Sequence, residues 1–255
     1  MPIELVTVPC LKDNYVFLIH DGASGQTAVV DVPDADPVLQ ALVARGWTLT
    51  DILITHHHAD HIDGVAAVKA ATGARTVGNA ADAHRLPPLD LALSPGMTFA
   101  FGTDQVNVLD VPGHTVGHIA YHLPAAALAF TGDSLMALGC GRLFEGTPAQ
   151  MWASLSRLAA LPPETLICSG HEYTASNGRF ALTIEPGNPA LQARVAAIAA
   201  ARAAGRATVP SLLSLELATN PFLRAHLPAV KAAIGMPLAD DVESFAEIRA
   251  RKDRF

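Results

Sequence analysis

Cysteine is scarce in this 255-residue chain: Cys10, Cys140 and Cys168 are the three present. They are widely spaced, odd in number and form no CxxC pair, which argues against a disulfide framework or a thiolate zinc knuckle and for reduced thiols. Basic charge is also in short supply, with 17 Lys and Arg against 24 Asp and Glu and a formal net charge of -7. That balance argues against general affinity for nucleic acid, and any anionic ligand would need a local basic patch. No apolar run reaches the roughly 18 to 20 residues that a membrane span needs. The opening MPIELVTVPC lacks a basic stretch followed by a long apolar core and cleavage site, so a cytoplasmic address is expected, with neither membrane nor nucleic acid as a partner. There is no internal repeat.

What is present supports a full core. Half of the residues are hydrophobic, and the mean hydropathy is positive, +0.29, enough for one large domain or two smaller ones. From Ile3 to about Phe130, short β-rich runs such as ELVTV, YVFLIH, TAVVD, DILIT, VNVLDV, IAYHL and LAFTGD are broken by Gly, Pro and Asp. Alanine-rich segments at Asp36 to Arg45 and Ile62 to Ala71 predict helices between them and one at Ala149 to Ala160 predicts a third that follows, and thus sheets covered by helices. Beyond about Asn177 helix formers dominate, notably Pro189 to Ala204 and Asp240 to Lys252. This places a domain boundary near residue 175, giving domains of 1–174 and 175–255.

Histidine carries the chemistry. Of eleven in the chain, His56, His57, His58 and His61 crowd into THHHADH, and His114 and His118 into PGHTVGH. Residues two apart on extended backbone face the same way, so His56 and His58 can converge on one cation while His57 points elsewhere. Asp60 and His61 fall at the turn into a helix and can serve a second cation. His114, Asp133 and His171 each follow an apolar run and a glycine, where a rigid strand hands a ligand to a loop. Five histidines and two aspartates make seven donors, suited to two cations sharing a carboxylate and a hydroxide. Imidazole and carboxylate fit zinc, manganese or iron. His20, His84, His122 and His226 lack this setting and are expected to be structural.

The run HxHxDH, followed at wide intervals by a His, an Asp and a His, resembles the metallo-β-lactamase superfamily. LKDNYVFLI, THHHADHIDG, PGHTVGH, FTGDSLMALGCGRLFEGT, SGHEYTASN, TNPFLR and the terminal RARKDRF together resemble, more closely, the glyoxalase II (hydroxyacylglutathione hydrolase) family. The resemblance implies an α/β chain, an αββα sandwich followed by a small all-helical domain. It implies that His56, His58 and His114 bind one metal, that Asp60, His61 and His171 bind the other, and that Asp133 bridges, with Asp60 and Asp133 the carboxylates of the catalytic centre. Two divalent cations per chain are implied, zinc first, with iron or manganese as alternatives. Asp31 and His118 are implied to brace the ligands.

The implied reaction is hydrolysis of the thioester of an S-(2-hydroxyacyl)glutathione, such as S-D-lactoylglutathione, by a hydroxide shared between the metals, in a monomer. Arg142, Phe144, Tyr173, Arg249 and Lys252 are the implied glutathione contacts, and Asn177 is a candidate for orienting the substrate or for a turn. Two departures from the family pattern stand out: Asp63 replaces the first glycine of a GG pair, and Arg142 and Phe144 replace Lys and Tyr. The rivals are a persulfide dioxygenase of the same fold using one iron, which lacks NPFLR and RxxKD, and a non-catalytic metal-binding protein.

Overall fold

The computed structural model describes residues 3–255, which fall into two compact units. The first runs to Asp110 and resumes at Gly117–Gly132; the second comprises Val111–Val116 and Asp133–Phe255. In chain order, the first unit holds β1 (Ile3–Cys10), β2 (Asn14–Asp21), β3 (Thr27–Val30), α1 (Ala35–Arg45), β4 (Asp51–Leu53), α2 (Ala59–Ile62), α3 (Val65–Thr72), β5 (Arg75–Asn79), β6 (Leu91–Leu93), β7 (Thr98–Phe101), β8 (Asp104–Asp110), β9 (Ile119–Leu123) and β10 (Leu128–Gly132).

β1, β2 and β3 form an antiparallel meander, and β3 to β6 continue it as parallel strands. Parallel pairing requires crossovers, which α1, the α2–α3 segment and residues 80–90 supply in turn. β3 and β4 are buried throughout, which is why TAVV and DIL read as continuous runs without alternation. Val38 and Leu42 of α1 and Val65 and Val68 of α3 pack with Val16, Leu18, Val29 and Ile52 on one face of this sheet. On its other face lie β7 to β10, an antiparallel set: Phe17 meets Phe130 at 5.7 Å between ring centroids, and the buried Tyr121 hydroxyl donates to the Ile54 carbonyl at 2.8 Å. Helix, sheet and sheet are thus three stacked layers within the first unit.

The helix expected over Ile62 to Ala71 is two helices with a break at Asp63 and Gly64. The break exists because Gly64 donates its amide to the Val32 carbonyl at 2.9 Å and Val32 donates to the His61 carbonyl at 2.7 Å. A Cβ on Gly64 would sit 2.8 Å from backbone atoms of Asp34 and Ala35. Asp63 is right-handed helical, φ -58 and ψ -31, so the residue replacing the family's first glycine costs no backbone strain.

The second unit holds β11 (Leu135–Met136), β12 (Gly139–Cys140), α4 (Pro148–Ala159), β13 (Leu166–Ser169), α5 (Thr174–Ile184), α6 (Pro189–Ala203), β14 (Ser211–Leu212), α7 (Leu213–Thr219), α8 (Pro228–Ala233) and α9 (Asp241–Arg254). Capping boxes, Thr147 with Gln150 and Asp240 with Glu243, begin α4 and α9, satisfying amides the first helical turn leaves without partners. Phe222 stacks with Phe180 and meets Phe245, all fully buried. The three cysteines are free and buried, and burial pushes the Cys10 and Cys140 thiols up to about 11, leaving them unreactive. Among the described residues no helix is long and apolar enough to cross a membrane.

Candidate metal centre and substrate-side residues

β3 and β4 end side by side, and each hands a polar side chain to the same place. Asp31 follows β3 in a left-handed conformation, φ 58, which turns its buried carboxylate toward the end of β4. There Oδ1 accepts from the Thr55 amide at 2.8 Å and Oδ2 from the Thr55 hydroxyl at 2.8 Å. Oδ2 also lies 2.8 Å from His61 Nδ1. A carboxylate only accepts, so Nδ1 of His61 carries the proton and Nε2 the lone pair. The Thr55 hydroxyl, already donating to Asp31, accepts from His56 Nδ1 at 3.0 Å, giving His56 the same tautomer. This arrangement of partners behind an imidazole is the one metal-binding histidines use.

His56 and His61 are buried, their ring centroids 4.2 Å apart, and His58 lies 4.8 Å from His56. Donor atoms of Asp31, His56 and His61 lie within 4.8 Å of one another. His118 stacks on His56 at 4.6 Å with 15° between planes. Gly132, φ 48, leaves room for this stack, since a Cβ there would come within 2.6 Å of Thr55 Oγ1 and 2.9 Å of the His118 ring. Asp60 and His61 are in the first turn of α2, with Asp60 Oδ2 3.8 Å from His61 Nε2. Asn14, at the start of β2, donates its side-chain amide to the Asp60 carbonyl at 2.9 Å and to Oδ2 at 3.2 Å. Its position in the LKDNYVFLI motif is the only signal that could have found it. His57 does point elsewhere, its Nδ1 3.3 Å from Asp82 Oδ2.

In the second unit, His114 Nδ1 donates to the Arg142 carbonyl at 2.8 Å, again directing the Nε2 lone pair outward. Asp133, buried at the end of β10, places Oδ2 3.5 Å from His114 Nε2 and 3.3 Å from His171 Nε2. One carboxylate oxygen therefore faces two imidazoles. His171 follows β13 and is stacked on Tyr173 at 4.7 Å and 6°, while Glu172 turns away to accept from Thr208. The donor set is imidazole and carboxylate without thiolate, and the tautomers of His56, His61 and His114 are set from behind, so these residues fit divalent cations.

Residues 14–171 match the family model of the metallo-beta-lactamase superfamily, and residues 172–255 match that of the hydroxyacylglutathione hydrolase C-terminus. A hydroxyacylglutathione hydrolase of Cereibacter sphaeroides is 68% identical over 255 residues, 100% of both chains. The chain belongs to the hydroxyacylglutathione hydrolase family. The crystal structure of ETHE1 from Myxococcus xanthus is similar with a TM-score of 0.69 at 27% identity, covering 98% of this chain and 90% of that one. The crystal structure of TTHA1623 in a di-iron-bound form is similar with a TM-score of 0.56 at 32% identity, over 66% of this chain and 91% of that one.

The side chains that resemblance to the hydroxyacylglutathione hydrolases places against glutathione are all in the second unit. Phe144 is exposed, its ring 5.3 Å from that of His114 and 6.0 Å from the Arg142 guanidinium carbon. Arg142 is exposed, with Nε 3.4 Å from Asp253 Oδ1. Tyr173 is 40% exposed. Lys252 is half-buried, with Nζ 3.4 Å from Ser176 Oγ and 5.3 and 5.2 Å from the ring centroids of Phe180 and Phe255. Burial, reinforced by the charges of Arg249 and Arg179, lowers its pKa to about 8. Arg249 is buried and donates to the Cys140 carbonyl at 2.9 Å and to Asp253 Oδ1 at 2.9 Å. Asn177 lies inside α5, buried, and donates to the Ala137 carbonyl at 3.1 Å.

The histidines expected to be structural include His20, stacked on Trp47 at 4.4 Å, and His226, which donates to the Leu223 carbonyl at 3.1 Å. Burial lowers the pKa of His122.

Proposed function

We propose that this chain hydrolyses S-(2-hydroxyacyl)glutathione, with S-D-lactoylglutathione as the substrate that yields glutathione and D-lactate. The match of residues 172–255 to the hydroxyacylglutathione hydrolase C-terminus, continuous with the metallo-beta-lactamase match, carries this assignment. It also disfavours the persulfide dioxygenase alternative. Seven of seven expected donor positions are His or Asp, which disfavours a non-catalytic metal-binding protein.

We infer two divalent cations per chain, zinc first and iron or manganese as alternatives. His56, His58 and His114 would hold one, Asp60, His61 and His171 the other, with Asp133 shared. Bound there, such cations would supply hydroxide at neutral pH, by lowering the pKa of bound water from about 15.7 toward about 7, and would polarise the acyl oxygen. Asp31 and Thr55 hold protons on Nδ1 of His61 and His56, and the Arg142 carbonyl does so on His114, so the ligand tautomers need no rearrangement. The leaving thiolate has a conjugate-acid pKa of about 8.5, the value for a cysteine thiol, and departs without a general acid.

Glutathione carries two carboxylates and one ammonium. Arg142 and Lys252 offer the cations, Phe144 and Tyr173 the apolar surface, and Arg249 a charge nearby on α9. On this assignment residues 1–174 are the catalytic domain and 175–255 the substrate-binding one, in a cytoplasmic monomer. The test is thiol release from S-D-lactoylglutathione followed with a colorimetric thiol reagent. Release that a chelator abolishes supports the assignment, and no release from metal-loaded protein refutes it.

A further inference from the structure

The hairpin formed by β11 and β12 has its backbone polar groups occupied by side chains from the helices of the second unit. Glu216, fully buried on α7, accepts the Leu138 amide at 2.8 Å. Asn220 donates one side-chain nitrogen to the Met136 carbonyl at 3.1 Å and the Gly139 carbonyl at 3.0 Å. Asn177 on α5 donates to the Ala137 carbonyl at 3.1 Å, and Arg249 on α9 to the Cys140 carbonyl at 2.9 Å. Every residue from Met136 to Cys140 thus has a backbone group gripped from the helical part.

The grip is itself secured. Glu216 also accepts from Arg194, from Ser211 Oγ at 2.7 Å and from Asn220 at 3.1 Å. It holds Leu138 in a left-handed conformation, φ 56, which a leucine adopts only when its surroundings impose it. The Leu138 side chain is anchored too, packed with Ala181, Leu191 and Ile198.

One end of the gripped hairpin runs into a proposed ligand and the other into the carbonyl that orients another. Asp133 is separated from its first residue, Leu135, by Ser134 alone, and the Gly141 amide closes it by donating to the Ser134 carbonyl at 3.1 Å. The next carbonyl, that of Arg142, accepts the His114 Nδ1 proton at 2.8 Å. A carbonyl on a loosely held hairpin could fix neither the tautomer nor the ring direction of that histidine.

We propose that Glu216, Asn220 and Asn177 are positioning residues for the metal centre, holding the 136–140 backbone so that the Arg142 carbonyl orients His114 and the chain carries Asp133 at a fixed place. The helical part then does more than contact glutathione: it sets the affinity of the ligands. This rests on the metal-centre assignment above.

The test compares wild type, Asn220→Ala and Asn177→Ala with Val230→Ala, which opens a cavity in α8, a helix that supplies none of these hydrogen bonds to the hairpin. Zinc affinity is measured by competition with a chromophoric chelator, alongside melting temperature and kinetics. Loss of a residue behind a metal ligand weakens metal binding by about 10- to 100-fold. The expected result is a loss of that size for Asn220→Ala and a smaller one for Asn177→Ala, and wild-type zinc affinity for Val230→Ala despite its lower melting temperature. Asn177→Ala removes one hydrogen bond and retains the buried Glu216 pair, so it serves if Asn220→Ala does not fold. Folded Asn220→Ala and Asn177→Ala with wild-type zinc affinity would overturn the proposal, as would an equal loss in Val230→Ala. A wild type that binds no zinc and releases no thiol would instead overturn the assignment on which it rests.

Discussion

Asp31 Oδ2 lies 2.8 Å from Nδ1 of His61, and the same carboxylate holds the Thr55 amide and hydroxyl. One buried side chain therefore orders two proposed ligands, His61 directly and His56 through Thr55. Asp31→Asn keeps a side chain that tolerates the left-handed backbone but can face His61 with an NH₂ group, which would reverse the tautomer. Zinc affinity is expected to fall by about 10- to 100-fold, with an unchanged far-UV circular dichroism spectrum. Unaltered affinity in a chelator competition would remove Asp31 from this role.

Lys252 and Arg249 separate by burial. Lys252→Ala should raise KM about 10- to 150-fold, the size of a lost charged hydrogen bond of about 1.5 to 3 kcal/mol, with kcat little changed. Arg249→Ala should lower kcat as well, because the Cys140 carbonyl loses its donor. Steady-state kinetics with both variants showing the same pattern would contradict this division.

The pH dependence follows from the same lysine. Its pKa is lowered to about 8, so the ammonium that would meet a substrate carboxylate is present below that value and lost as pH rises through it. KM is therefore expected to increase between pH 7 and 9 and approach that of Lys252→Ala, while Lys252→Arg, which stays charged, should be flatter. A wild-type KM that does not change across this range would show that Lys252 does not contact the substrate as its ammonium.

Gly141 has no room for a side chain: a Cβ would run into the Asp133 carbonyl and lie 2.9 Å from His114 Nδ1. Gly141→Ala should displace His114 from the Arg142 carbonyl and reduce bound metal as well as activity. Metal analysis that finds a full complement in the folded variant would show that the loop yields without disturbing the histidine.

Much of this was legible in the sequence because it is local. The strand-then-histidine pattern of DILITHHHADH and the glycines before His114 and His171 point to the proposed ligands at strand ends, and alternation on extended backbone separates His57 from His56 and His58. The long helices were legible from their alanine-rich composition, and α9 from its run of helix formers. β5 and β6 gave no such signal: Arg75–Asn79 is short and carries a glycine, and it becomes a strand through its parallel pairing to β4. The partners of the proposed ligands were legible only through motif resemblance. Asn14 and Asp60 are 46 residues apart, and Leu138 and Glu216 are 78 apart. No spacing rule connects side chains over such distances, since the fold alone brings them together.

The most direct measurement is the metal content of protein purified without added metal, compared with Asp133→Ala and read alongside thiol release from S-D-lactoylglutathione. Two divalent ions per chain in wild type, fewer in the variant, and thiol release lost with them are the expected outcome. Wild-type protein that hydrolyses the thioester with no bound metal, or Asp133→Ala retaining two ions, would contradict the account.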